Sequence, residues 1–546
     1  MLKDYFEVPN KPAVKSGNIL SCDFTDHETF IPQPLDYSRG TIATYVDCNG
    51  LIKMSGVSDT ELVTNGNFDN GSTSWTLIGD ASIGNGVCTF FDTGSNTNSQ
   101  LISQIGILAN KTYKLVFDVT RYVAGSIQII FGGATAVSVN ITGGVGTYTV
   151  YVVNGPSTSW LIKRNGGYPG FDFDIDNISL KQVDLNTPRI DYTTEIGKAK
   201  ELQKPSLLLE PQSTNLIIYS EDLSQLTNQN LTINSNSVIS PDGTMNATRV
   251  VPTTNSSQHR FTPNTTVSTS TVYTGSIFAK ADGYNRIKLV ENATTGGSAG
   301  FDLQNGTILT TSGVTAKIEA FPNDWYRCSI TETTASTSFR FDVIVMDDSS
   351  NSTFAGDGTS GVQLYGYQLE QGSYPTSLIP TAGATVTRNQ DLANNAGQLG
   401  VFNNEEGVLY AEMASLANSG VQRKLSISDG TNQKVVVLQF TNVNNQLRAF
   451  LYNGALQVNM YNVLSKALEF NKIAFKFKQD DFSLYVNGSE VATDPSGTTF
   501  STGDLTQFNF NDGGISDPFH ARIREIKVFR RALTDSELQE LTNNIV

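Results

Sequence analysis

Through most of the chain, apolar and polar residues alternate over short runs that end in Gly, Asn, Asp or Pro. A period of two marks strands with one face buried. The pattern predicts strands at 114–120, 126–131, 136–141, 147–153, 160–163 and 171–182. A second group falls at 271–279, 286–290, 315–320, 325–331, 339–345 and 362–369, and a third at 407–413, 434–440, 446–451, 471–478 and 482–486. Within 171–182 the parity switches: Phe171, Phe173 and Ile175 share one face, while Ile178 and Leu180 take the other. A bulge at Asp176-Asn177 would return both sets to one core. Each group closes on an alternating strand, at 176–182, 362–370 and 523–529. Helix is expected only at the tail, where Thr534 and Glu537 form a capping box ahead of Leu538 and Leu541.

The first residues break this texture. Pro9, Pro12, Pro32 and Pro34 interrupt them, and one hairpin is expected where 41–46 turns through Asp47-Cys48-Asn49-Gly50 into 51–54. The pattern therefore gives an all-β chain: an irregular arm over 1–58, then three β-sandwiches over 59–184, 185–395 and 396–546. The arm has no core of its own and is expected to order only against a partner or neighbouring subunits.

Composition narrows the function. Charged residues make up 16% of the chain and aromatics 10%, as in a globular β protein rather than a disordered one. The net charge is −15, and Lys163-Arg164 and Arg530-Arg531 are isolated pairs, so no nucleic-acid surface is expected. Cys22, Cys48, Cys88 and Cys328 are too dispersed for a disulfide framework or a zinc site. No run approaches a membrane span, and Met1-Leu2-Lys3-Asp4-Tyr5-Phe6-Glu7 lacks a leader's apolar core. The expectation is a protein made in a cytoplasm that it leaves, if at all, by lysis.

Catalytic patterns are weak. Gly296-Gly297-Ser298-Ala299-Gly300 has the spacing of a nucleophile elbow, but a strand, not a helix, is expected after it. His27, His259 and His520 lie in different blocks, and the paired carboxylates sit mostly at expected turns. The chain is read as a non-enzyme.

Three segments carry resemblances. Glu61-Leu62-Val63-Thr64-Asn65-Gly66-Asn67-Phe68 with Trp75, closing on Phe173-Asp174-Ile175-Asp176-Asn177-Ile178-Ser179-Leu180, resembles the family 4/9-type carbohydrate-binding modules, which are jelly rolls. In those modules the Asp corresponding to Asp176, with oxygens from the first strand region, holds a structural calcium ion. That resemblance makes Asp176 and Asn67 candidate Ca²⁺ ligands. Sugar rings stack on aromatic faces, and Tyr168, between Gly167 and Pro169, is the candidate platform, with Trp160 the second; Trp75 is expected in the core.

Ser206-Leu207-Leu208-Leu209-Glu210-Pro211-Gln212-Ser213-Thr214-Asn215-Leu216 resembles a motif of tailed-phage fibres and other virion surface proteins, where it opens a concanavalin-like sandwich. Asp324-Trp325-Tyr326-Arg327 and Tyr367-Gln368-Leu369-Glu370 follow in the same order. Such proteins place a segment like Tyr37-Ser38-Arg39-Gly40 and then one like Pro188-Arg189-Ile190-Asp191-Tyr192 ahead of the motif. Here the carbohydrate-module-like block separates them and looks inserted. Finally, Phe482-Ser483-Leu484-Tyr485-Val486-Asn487-Gly488 with 526–534 resembles laminin-G/concanavalin-like domains.

The resemblances imply a bacteriophage virion protein, a homotrimeric tail or head fibre subunit. It would join other virion proteins through the arm 1–58 and contact host-surface polysaccharide. The alternatives are a structural capsid or tail decoration, a bacterial secreted carbohydrate-binding protein, and a polysaccharide depolymerase. The last lacks the strand carboxylate motif of concanavalin-like glycosidases.

Overall fold

The computed structural model describes residues 18–23, 36–92, 99–103, 106–131, 135–139, 144–153, 158–164, 170–292, 296–394, 402–418 and 420–543. Contacts divide the chain into two compact units, one of 54–187 with 233–249, the other of 1–53, 188–232 and 250–546. Both are all-β, and the single α-helix among the described residues is Asp535–Thr542, opened by the expected Thr534–Glu537 capping box.

The unit holding 54–187 is a sandwich of two five-stranded antiparallel sheets. One runs Thr135–Val139, Ile127–Phe131, Trp160–Arg164, Gln100–Ser103, Trp75–Ile78; the other Gly146–Val153, Thr112–Ala124, Asp172–Val183, Val87–Phe91, Ala81–Gly84. Phe90, Leu115, Phe117, Ile129, Ile162 and Phe173 fill the space between them. The parity switch in Asp172–Val183 is a bulge: its register against Thr112–Ala124 shifts between Asp176 and Ser179, and Asn177 takes a φ of 51°. Asn tolerates that left-handed turn, and Ile175, Ile178 and Leu180 all reach the core. The two ends of 54–187 meet, with a bridge between Val57 and Val183 and an Asp184 N–H donating to Gly56 O at 2.8 Å. A Cβ on Gly56, at φ +76°, would lie 1.9 Å from Asp184 O, so the neck requires glycine.

The other unit contains two sandwiches. In one, Gly361–Gln371, Val272–Asp282, Trp325–Thr333 and Thr315–Phe321 are consecutive neighbours in a sheet. The second sheet of that sandwich includes His259–Phe261, Ser338–Met346, Arg286–Glu291, Ser298–Asp302 and Thr307–Ser312 in that order. Ser298 therefore starts a buried antiparallel strand and makes no nucleophile elbow. In the other sandwich, Ala521–Phe529 sits inside an eight-stranded sheet. It pairs with Glu406–Ser415 on one edge and with Ser206–Leu208 and Asn18–Asp23 on the other. The facing sheet runs Leu456–Val463, Gln446–Asn453, Lys434–Phe440, Arg423–Ser428, Gln507–Asn509.

Two sequence expectations change here. Contacts do not part the chain near 395, because the strand Ser206–Leu208, expected to open the middle sandwich, pairs with the C-terminal sheet. Nor does the arm wait for another protein where it is described. Asn18–Asp23 and Asp36–Ser38 pair with Ala521–Phe529 and Leu392–Asn394 of their own chain, and Thr44–Val46 pairs with Ile52–Met54 in the expected hairpin.

A buried charge hub explains both. Arg39, Arg189 and Arg388 converge on Glu210 and Asp391, every side chain at most 4% exposed. Arg189 reaches Glu210 at 2.6 Å and also bonds Asp391, while Arg39 lies 3.2 Å and Arg388 3.8 Å from Asp391. Tyr37 donates to Asp391, and Ser377 Oγ donates to Glu210 at 2.7 Å. Burial alone would raise the Glu210 carboxyl, yet Arg388, Arg189 and Ser377 hold it below the usual carboxylate range. The hub also fixes neighbouring backbone: Arg189 donates to Thr44 O at 3.0 Å, and Val46 N–H to Asp191 at 3.0 Å. Segments 44–46 and 189–192 are thereby held side by side, on either side of the block 54–187 in sequence.

Candidate functional site

Of the residues singled out for sugar contact, Tyr168 lies outside the described residues. Trp160 is corrected: it is 1% exposed, stacked on Phe131 with centroids 5.7 Å apart and edge-on to Trp75 at 5.9 Å. Its strand alternates Trp160, Ile162 and Arg164 inward, so the indole serves the core and offers no face to a sugar. Trp75 is buried as expected, its Nε1–H donating to Asn65 O at 2.9 Å.

Asp176 sits half-buried on the bulge, where its Oδ1 accepts the Asn177 N–H at 2.7 Å. Asn177 Nδ2 donates to Asp118 at 2.8 Å, and Asn67 Nδ2 donates to Asp69 at 2.5 Å. Burial, with Asp118 and Asp69 nearby, pushes the Asp176 carboxyl above its ordinary range. These are hard oxygen donors of the type Ca²⁺ prefers. Among the described residues, no three His, Cys, Asp or Glu side chains are close enough together to hold a metal.

A surface the strand pattern did not single out is the outer face of the five-stranded sheet over 423–509. In Gln446–Asn453, Leu447, Ala449 and Leu451 point into the core, which leaves Arg448, Phe450 and Tyr452 on the other side. Register extends this face across the sheet. One row reads Asn459, Phe450, Val437, Ser426, Asn509; the next reads Tyr461, Arg448, Gln439, Lys424. The Arg448 guanidinium stands over the Phe450 ring at 4.2 Å and the Tyr461 ring at 5.5 Å, and its Nε–H donates to Asn459 at 2.7 Å. Tyr461 is 48% exposed. Phe450 is 9% exposed and Val437, Gln439, Ser426 and Asn509 are buried, so the accessible part is the edge at Tyr461, Asn459 and Arg448, where a half-exposed ring beside an amide and a guanidinium can stack on a sugar's C–H groups and bond its hydroxyls. The sequence carried the signal, since large apolar side chains occupy both parities of 446–453, Leu447 and Leu451 on one and Phe450 and Tyr452 on the other.

The family model described as Concanavalin A-like lectin/glucanases superfamily (Laminin_G_3) matches residues 413–539, so the chain carries a C-terminal laminin-G/concanavalin-like domain that contains this face. A search of curated proteins gives no match. Among solved structures, the Ruminococcus gnavus IT-sialidase CBM40 bound to α2,3 sialyllactose is 22% identical over 28% of this chain and 94% of its own, with a TM-score of 0.24. Mouse laminin α1 domains LG4-5 are 12% identical over 52% and 90%, at 0.20. Trypanosoma rangeli sialidase is 10% identical over 94% and 99%, at 0.22. TM-scores of this size fix neither a shared fold nor a shared ligand.

Proposed function

We propose that this chain is a bacteriophage virion surface protein, a fibre or adhesin subunit of tail or head, that contacts host-surface polysaccharide without cleaving it. The observation that carries glycan contact is the exposed edge of the laminin-G-like sheet, where Tyr461, Arg448 and Asn459 lie side by side. The virion setting rests on the phage-like segments around Arg39, Arg189 and Glu210, which converge in one hub although a block of more than a hundred residues separates the first two. Assembly as a homotrimer and attachment to other virion proteins through the arm belong to this reading. So does a structural Ca²⁺ at Asp176 and Asn67, supported by the resemblance to the carbohydrate-binding modules and by the like charge of Asp118 and Asp69 acting on Asp176, which a cation would relieve. A shallow face binds weakly, and several copies on one virion would act through avidity.

The test is a glycan array and host-cell retention of the full-length protein. Tyr461→Ala should weaken retention several-fold, the loss of roughly 1 kcal/mol of stacking per site, with thermal stability unchanged. A folded protein that leaves both assays blank overturns the reading. Release of reducing ends from host polysaccharide overturns the statement that contact is non-cleaving.

A further inference from the structure

Arg448 is held differently from the two lysines of its sheet. Lys424 pairs with Asp517 at 2.7 Å and Lys434 with Asp504 at 2.5 Å, both acids coming from loops. Arg448 pairs with no carboxylate among the described residues. Uncharged groups hold it instead: the Phe450 ring, the Tyr461 ring and the Asn459 amide. That hold uses only the Nε–H, so the Nη edge of the half-buried guanidinium has no protein acceptor among the described residues. Its cross-strand partners are Tyr461 and Gln439, and Gln446 and Phe450 flank it along its own strand. No Asp or Glu occurs in any of the five strands of the sheet. The chain as a whole carries 52 acidic residues against 37 Lys and Arg.

A guanidinium that water can reach needs no countercharge, so the lack of one is not a cost. What sets Arg448 apart is that it is positioned in advance. An arginine that grips an anion ordinarily gives up rotamer freedom; two rings and an amide have fixed this one beforehand, so less is lost per bond formed. Its unused edge presents N–H donors in the fork that matches two oxygens of one oxyanion. The half-exposed Tyr461 ring lies at the cross-strand spacing, about 5 Å away, so a single sugar can rest its C–H face on the ring and its charged substituent on the fork. Over most of this acidic chain such a ligand meets like charge, and the acid-free strands around Arg448 spare it that repulsion. We infer that the Tyr461 edge selects saccharides bearing an oxyanionic substituent, a uronate carboxylate or a sulfate ester, with Arg448 as the specificity-determining residue. The inference rests on the glycan-contact reading and deepens it by assigning the charge of the ligand.

The experiment is ligand-observed NMR on the full-length protein with glucose, sodium glucuronate, glucose 6-sulfate, sodium acetate and sodium sulfate at matched ionic strength. One or both charged sugars should bind at least roughly tenfold more tightly than glucose, the scale of one charge-assisted hydrogen bond, and comparing the two tells carboxylate from sulfate ester. Arg448→Gln should bring the charged sugars to the level of glucose. Asn459→Asp provides an independent route: it leaves Arg448 in place and keeps the shape of its neighbour, but hands the guanidinium a carboxylate of its own, and it too should abolish the preference. A preference that survives both substitutions overturns the assignment to Arg448. Charged sugars binding no more tightly than glucose, in a protein that still retains host glycans, overturn the inference and leave the glycan reading standing. Acetate or sulfate binding with no sugar or host glycan retained overturns both, leaving a plain anion site.

Discussion

Beside Arg388, Arg423 and the Asp391 carboxylate, the His520 ring is 8% exposed and its Nε2 has no protein partner. Burial pushes its pKa down to about 4, with Asp391 pulling upward and Arg423 and Arg388 adding to the fall. In the unfolded chain an imidazole titrates near ~6.5. The unfolded state therefore takes up the proton first, and the contribution of neutral His520 is complete above that pH and lost as pH falls through about 4. The linked loss is about 3 kcal/mol. Melting temperature followed from pH 7 to pH 4 should fall less steeply in His520→Asn than in the native protein; parallel curves would show that the ring does not titrate on unfolding. Little of this was legible in the sequence, where His520 is one of three scattered histidines. Its pKa depends on charges brought close by the fold, and Asp391 and Arg388 are remote in the chain.

At the scale of single strands the sequence was more informative. The bulge at Asp176-Asn177 followed from a parity switch alone, because Ile178 and Leu180 had no other way to share a core with Phe173 and Ile175. The same reasoning applied to 446–453 would have found the face carrying Arg448 and Phe450. Alternation could not assign Trp160: a strand residue next to a turn reads equally well as core or as platform, and only the facing Phe131 and Trp75 decide it. The bulge has a test of its own. If Ca²⁺ neutralises the carboxylates crowding Asp176, EDTA should lower a melting transition of the full-length protein, since an ion bound only by the folded state stabilises it by mass action. Asp176→Ala should remove that difference, and a native protein indifferent to EDTA would leave the carboxylates merely solvated.

For the whole molecule the charge hub matters most, and it was the least legible feature. Arg39 and Asp391 are 352 residues apart, and each alone looks like an ordinary polar residue near a turn. With Glu210 and the other two arginines they set two carboxylates against three buried guanidiniums. Breaking such a network by removing one partner strands the others in a poorly polar interior. Asp391→Asn should therefore lower the stability of this unit by about 3–5 kcal/mol in urea unfolding. The exposed pair Lys466–Glu469, with both side chains about two-thirds exposed, provides the contrast, and Glu469→Gln should leave the transition where it is. Equal effects from the two substitutions would mean that the hub is not what joins these sandwiches.

The placement of Ala521–Phe529 has a consequence for biosynthesis. This strand pairs with Asn18–Asp23, Ser206–Leu208 and Glu406–Ser415. A ribosome has delivered more than five hundred residues before their common neighbour exists. Until then those three segments have unpaired edges, which are open to association with other chains. The block 54–187 faces no such delay, because its ends meet through Gly56 and Asp184 and its two sheets lie within its own span. Translation therefore supplies one sandwich that can close early and a larger unit that must be kept from its neighbours until almost the last strand emerges.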